Sequence, residues 1–193
     1  LFSGDGYSEA WHEEAERRGL CNYRTTADAL PCMLAEKNLA LFDEMGVLNE
    51  AEAVCRYEVK LEKYNKLMNI EATTMIREAR RTYRPVISAY ATKVAKGLET
   101  IRAAGAAAAM QAEQNTLNEL CVGITEINEA IKALEVVHER AESIMDGQQQ
   151  ALCYAHEVSP AMERLRAAVD AMEEVVAADY WPVPTYDDVL FYV

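Results

Sequence analysis

Leu117, Leu120, Ile124, Ile127, Ile131, Leu134, His138, Ala141 and Met145 recur at alternating steps of three and four residues. After Asp146-Gly147 the pattern restarts as Ala151, Ala155, Val158, Met162, Leu165, Val169, Met172 and Val176. Such spacing keeps one face of a helix apolar over many turns, the pattern of a coiled-coil seam. Two such helices joined by a tight Asp-Gly link are antiparallel neighbours. Folding the chain back at 146–147 sets Leu117 opposite Val176, Ile124 opposite Val169, Ile131 opposite Met162 and His138 opposite Ala155. The intervening layers pair Leu120 with Met172, Ile127 with Leu165 and Leu134 with Val158, so every layer meets an apolar partner. An arm of about 29 residues, at 1.5 Å each, is about 43 Å long. A hairpin of that length, placed at 110–178, is expected to project from or brace something larger.

Upstream, Val54, Tyr57, Leu61, Tyr64 and Met68 mark a long helix, and Asn49 with Glu52 forms a capping box at its start. Ala72, Met75, Ala79, Tyr83, Ile87, Tyr90 and Val94 continue the stripe past Pro85, so the proline should kink the helix rather than end it. Ala103-Ala104-Gly105 is the expected reversal. Nearer the start, Ser8 can cap a short helix ended by Gly19. Asp28 or Thr26 can cap a second, with Pro31 in its early turns and Gly46 as its stop. After the hairpin, Pro182 and Pro184 exclude a helix around Asp179–Tyr186, and the apolar and aromatic end Asp187-Asp188-Val189-Leu190-Phe191-Tyr192-Val193 should dock on a neighbour as an extended tail. The reading is all-α: an elongated helical bundle with a long antiparallel coiled-coil hairpin and an extended C-terminal tail.

The 193 residues carry a formal net charge of −13, with 51% hydrophobic and 26% charged residues. That composition suits a folded domain with its own core and excludes a disordered polyelectrolyte. No run of about 18 apolar residues exists to span a membrane. Nucleic acid is a poor partner for so acidic a chain. Charge is segregated along the sequence: −5 over residues 1–48, +4 over 49–105 and −12 over 106–193. The start, Leu1-Phe2-Ser3-Gly4-Asp5-Gly6, has neither initiator Met nor the basic and apolar regions of a signal peptide, and reads as a cut through a longer protein. The five cysteines, Cys21, Cys32, Cys55, Cys121 and Cys153, form no C-x-x-C pair. They read as reduced structural thiols of a cytosolic protein.

Arg77, Arg80, Arg81 and Arg84 share one helical face. That face could bind an anion or a regulator, but balancing the acidic hairpin or another subunit is the simpler expectation. Two Glu-x-x-His pairs occur, Glu9 with His12 and Glu135 with His138. In di-iron helical bundles this spacing puts a carboxylate and an imidazole on one metal, yet the two further inward-facing glutamates that such a site needs are missing from the seam. His138 therefore reads as a seam histidine beside an acid. His12-Glu13-Glu14-Ala15-Glu16 lacks the second His of a zincin, and no G-x-S-x-G or phosphate-cradling glycine loop occurs. Tyr57, Tyr64, Tyr83 and Tyr90 read as amphipathic core. The residues supply no catalytic, cofactor-binding or metal site, and the chain reads as a scaffold.

Several stretches together resemble the C-terminal part of type III glutamine synthetase. They are Asp5-Gly6-Tyr7-Ser8-Glu9-Ala10-Trp11 with Glu14–Leu20; Thr25–Pro31 with Ala35-Glu36-Lys37-Asn38; Arg56-Tyr57-Glu58-Val59 with Glu62-Lys63-Tyr64 and Asn69–Ala72; and Pro160–Arg166 with Trp181–Tyr186 and Leu190-Phe191. The resemblance spans essentially the whole chain and is weakest at the alanine-rich link 103–112. It implies a cytosolic parent enzyme that joins glutamate and ammonia using ATP through a γ-glutamyl phosphate. It also implies Mg or Mn and an assembly of two stacked hexameric rings. The family's metal-binding and phosphate-handling residues lie upstream of this segment, so none is carried onto this numbering. Residues 1–70 would end the catalytic domain, 71–178 would form the helical domain particular to type III, and 179–193 the closing tail. Two other readings stay open: a free-standing helical adaptor, and a di-metal carboxylate bundle.

Overall fold

The computed structural model describes residues 3–191, apart from the side chains of residues 107–109 and 186–187. Within that range every regular element is helical. The chain divides into two compact units, one up to Tyr64 and one from Asn65 onward.

In the first unit, α1 (Glu9–Arg17) follows Ser8 and ends at Gly19, whose φ of +70° reverses the chain where a side chain would be strained. The Ser8 hydroxyl does not cap the helix; it donates to the Asp5 carbonyl at 2.6 Å. The expected second helix is three pieces: α2 (Thr26–Ala29), a 3₁₀ segment (Leu30–Leu34) and α3 (Glu36–Glu44). Thr25, rather than Asp28 or Thr26, is the cap, its hydroxyl oxygen accepting from the Asp28 amide at 3.1 Å. The physical reason for the break is Pro31, which has no N–H to continue the ladder. Ala35 then turns extended (ψ 134°), and the Asn38 side chain donates through Nδ2 to the Cys32 carbonyl at 2.6 Å. Gly46 (φ +64°) ends α3 as expected. The capping box forms in full: the Glu52 amide donates to Asn49 Oδ1 and the Asn49 amide to Glu52 Oε2, both at 2.9 Å. It opens α4 (Glu50–Glu78).

From α4 the helix runs through a π-helical turn (Ala79–Tyr83) into α5 (Arg84–Ala103). Pro85 is passed, as the apolar stripe requires. A normal turn would put the proline ring against the carbonyl four residues back, and the wider turn just before it relieves that clash. The same device recurs at Tyr154–Val158, ahead of Pro160. Gly105 (φ +70°) makes the reversal into α6 (Ala107–Ser143).

The hairpin is present. α6 returns through Asp146, whose Oδ1 accepts from the Gln149 amide at 2.8 Å, into α7 (Gly147–Cys153), the second π turn and α8 (Ser159–Glu173). The seam residues Leu120, Ile127, Ile131, Leu134, Val158, Leu165, Val169, Met172 and Val176 are all buried. Gly123 matters here: a Cβ at that position would lie 2.1 Å from Met172 Sδ, so the methionine packs directly on the glycine. Met172 thus meets α6 within one turn of Leu120, its expected partner. Leu117, Ile124 and Met162 are only half-buried, and Met145 is 96% exposed, because the helix has already ended at Ser143. On its other side α6 packs along α5, whose Ile87, Ala91, Val94 and Leu98 are buried. The hairpin is thus two arms of a three-helix layer rather than a free coiled coil.

Beyond the hairpin, Trp181 is buried against Tyr83 (centroids 5.4 Å apart) and Tyr180 stacks on Tyr90 (5.3 Å), with Lys93 Nζ 4.6 Å from the Tyr180 ring. The tail that follows is not wholly extended. A short helix, α9 (Tyr186–Leu190), forms behind a Thr185–Asp188 capping pair, and Val189, Leu190 and Phe191 stay exposed. Prolines 182 and 184 bar a helix only up to themselves; Thr185 restarts one.

Candidate functional site

Half of the arginine row is engaged by the hairpin. Arg80 pairs with Glu135 of α6, one bond being 2.6 Å, and Arg84 donates to Asn128 Oδ1 at 3.2 Å. Arg77 turns to Glu78 at 3.2 Å. The Thr82 hydroxyl and then Arg77 hold the Glu78 carboxyl below its usual range, with the Arg81 charge adding to it. Two of the four arginines therefore bridge the basic helix to the acidic one. Partly exposed pairs of this kind are worth about 0–1 kcal/mol, so they set register more than stability.

This pairing involves the first residue of the Glu135-x-x-His138 motif. Glu135 is committed to Arg80. His138 is buried, its Nδ1 3.7 Å from Glu142 Oε2 and its Nε2 without a hydrogen-bond partner. Glu9 and His12 lie on α1, which buries none of its residues. Among the described residues no group of three His, Cys, Asp or Glu side chains is placed to hold a metal. All five cysteines are free thiols, with Cys153 alone buried.

The most organised polar cluster is one that the periodicity did not single out. Asn69 Nδ2 donates to Glu142 Oε1 at 2.7 Å and to the Tyr154 hydroxyl at 3.2 Å. One turn earlier, Asn65 Nδ2 donates to the Gly147 carbonyl at 2.9 Å. Burial pushes the Tyr154 hydroxyl up from its ordinary value, against the opposing effect of the Asn69 bond. The available signal was two amides one turn apart beside an apolar stripe, Asn65 and Asn69. The cluster joins the second half of α4 to the hairpin tip, and both asparagine side-chain amides donate to this chain's own atoms. It is a clamp between helices.

Residues 1–102, just over half of the chain, match the family model of the glutamine synthetase C-terminal domain. The chain belongs to that family. It is 29% identical over 191 residues to a glutamine synthetase of Butyrivibrio fibrisolvens, covering 99% of this chain and 27% of that protein. It is 29% identical over 195 residues to a type-3 glutamine synthetase of Dictyostelium discoideum, covering 99% and 26%. Against a glutamine synthetase of Bacteroides fragilis it is 29% identical over 194 residues, covering 98% and 27%. The chain thus spans about a quarter of the length of the curated relatives it matches, in their C-terminal part. The resemblance read from the sequence to the C-terminal part of glutamine synthetase therefore holds over the whole chain. The family match takes in the first unit and the long helix through α5, whereas the hairpin lies beyond it and is matched by the relatives. No described helix of this glutamine synthetase segment is long and apolar enough to cross a membrane.

Proposed function

We propose that this chain is the non-catalytic, assembly-supporting C-terminal segment of a type III glutamine synthetase. Its parent would be a cytoplasmic ligase that makes glutamine from glutamate and ammonia, with ATP and Mg or Mn bound upstream of these residues. In this reading residues 1–70 close the catalytic domain, 71–178 brace it as the type III helical domain, and 179–193 form the closing tail. The parent assembles as stacked hexameric rings. The observation that carries the reading is the alignment of 98–99% of this chain with the C-terminal part of glutamine synthetases from three organisms.

The burial pattern of the first unit adds support. Up to Tyr64 its buried apolar residues are Ala27, Leu30, Ala53 and Leu61, while Tyr7, Leu20, Leu41, Met45, Val47 and Val59 are more than half exposed. So much open apolar surface over so small a core suits a piece that packs on more protein. The test is a γ-glutamyl hydroxamate assay on the purified 193-residue chain with glutamate, hydroxylamine and Mg-ATP. No product above background is expected, and clear turnover would overturn the non-catalytic assignment. Deleting the equivalent segment from a full-length parent should reduce its mass in solution below that of the ring; an unchanged assembly would overturn the supporting role.

A further inference from the structure

Between the last turns of α4 and the length of α8 the chain leaves a groove. One wall is α4 and the π turn that follows it; the other is α8, which begins directly after the second π turn. Two depressions, of about 560 and 280 Å³, share Met75 and Arg166 and so form one trough. From Ile70 to Tyr83 a helical wall rises about 20 Å, enough to seat about 13 residues of another helix.

We propose that this groove binds an amphipathic helix with lysine or arginine along its flanks, supplied by another polypeptide. Its base offers Met75 and Met162, unbranched side chains that adapt to a partner's shape, and Ile70 stands 60% exposed at its edge. Its rims are acidic: Glu71 and Glu78 on one side, Glu163 and Asp170 on the other. Asp170 is bonded to Arg166 at 3.3 Å and Glu78 to Arg77 at 3.2 Å, so the net negative charge of the rim rests on Glu71 and Glu163. An apolar, methionine-bearing trough between two helices is the geometry that receives the apolar face of a third, and acid rims select basic flanks. The chain's own exposed C-terminal helix is the wrong occupant, because Asp187 and Asp188 carry the sign of the rim. The proposal does not depend on the catalytic activity of a parent enzyme.

The probe is a fluorescein-labelled 14-residue peptide with leucine at i, i+3, i+4, i+7 and so on, and lysine elsewhere. It is titrated into the 193-residue chain carrying ¹³C-methyl methionine. The Met75 and Met162 methyl signals should shift, while that of Met145, 96% exposed in the hairpin turn, stays in place. Glu71→Lys with Glu163→Lys should weaken binding about tenfold or more. Glu119→Lys with Glu126→Lys, equal in charge but on the exposed face of α6, should change it less than about twofold. A Leu/Glu peptide should bind at least about tenfold more weakly. Unmoved Met75 and Met162 signals in the wild-type chain would overturn the proposal, as would equal weakening by the α6 pair or equal binding of the Leu/Glu peptide.

Discussion

Ile131 sits in the middle of the seam, 2% exposed, between Ile127 and Leu134 which are fully buried. Replacing it by aspartate has two separable effects. Loss of its apolar burial removes about 2–3 kcal/mol. The new carboxyl must also either stay charged in an apolar layer or bind a proton. At pH 7, about three units above an ordinary aspartate, binding it costs about 4 kcal/mol. The sum, about 6–7 kcal/mol, compares with the whole stability of an ordinary domain, about 5–15 kcal/mol. The sign with pH follows from the folded-state pKa being raised above the unfolded value. The second effect is absent below about pH 4 and grows as pH rises, until the folded form too is ionised. Thermal and urea unfolding followed by circular dichroism should therefore show Ile131→Asp crippled at pH 7 and about 4 kcal/mol closer to wild type at pH 4. Ile131→Ala should show the same deficit at both pH values. Val136→Asp, at a position 68% exposed on the same helix, should stay within about 0.5 kcal/mol. If Ile131→Asp melts with the wild-type chain at pH 7, or its deficit ignores pH, this face of α6 is not the seam.

Gly123→Ala gains about 1 kcal/mol of helix propensity but drives a methyl into Met172. A net loss of about 1–2 kcal/mol is expected, and Met172→Ala should relieve it with a coupling of about 1 kcal/mol or more in a double-mutant cycle. Asn69→Ala leaves the Tyr154 hydroxyl and Glu142 without a donor and should cost about 1–3 kcal/mol by chemical denaturation. Because burial raises the Tyr154 hydroxyl, its folded form holds its proton where the unfolded form has lost it. Stability should therefore fall as pH rises above about 10, and Tyr154→Phe should flatten that loss. Glu14 is held at a pKa of about 2 by hydrogen bonds from Arg17 and then Arg18. Its support of α1 should be present above about pH 4.5 and lost as pH falls through about 2. Helicity measured by circular dichroism should drop over that window, less so in Glu14→Gln.

The hairpin, its register, the Gly105 reversal and the Asn49–Glu52 cap were legible because each is a local pattern with one low-energy solution. A 3-4 stripe has one apolar face, and a capping box closes on itself within three residues. The break of the second helix around Pro31 and the choice of Thr25 as its cap were not. Several caps were chemically equivalent there, and the bond to Asp28 chose between them. The arginine face and Glu135 were visible as types and spacings, but their mutual pairing spans fifty-five positions in the chain. A partner that distant leaves no periodicity to read. The clamp of Asn65, Asn69, Glu142 and Tyr154 has the same origin, with Asn69 and Tyr154 eighty-five positions apart.

Sequence by itself determined that this chain is helical, where it reverses and which faces are apolar, because those follow from periodicity and from glycine and proline stereochemistry. Through motifs spread along its length it also pointed to the glutamine synthetase family. Only tertiary structure decided that α6 is shared between α5 and α8, that Glu135 pairs with Arg80, and that α4 and α8 leave an acid-rimmed trough between them. Those outcomes depend on which helix occupies the space beside each apolar face, and that is settled by packing whole helices against one another, not by any one stretch of residues.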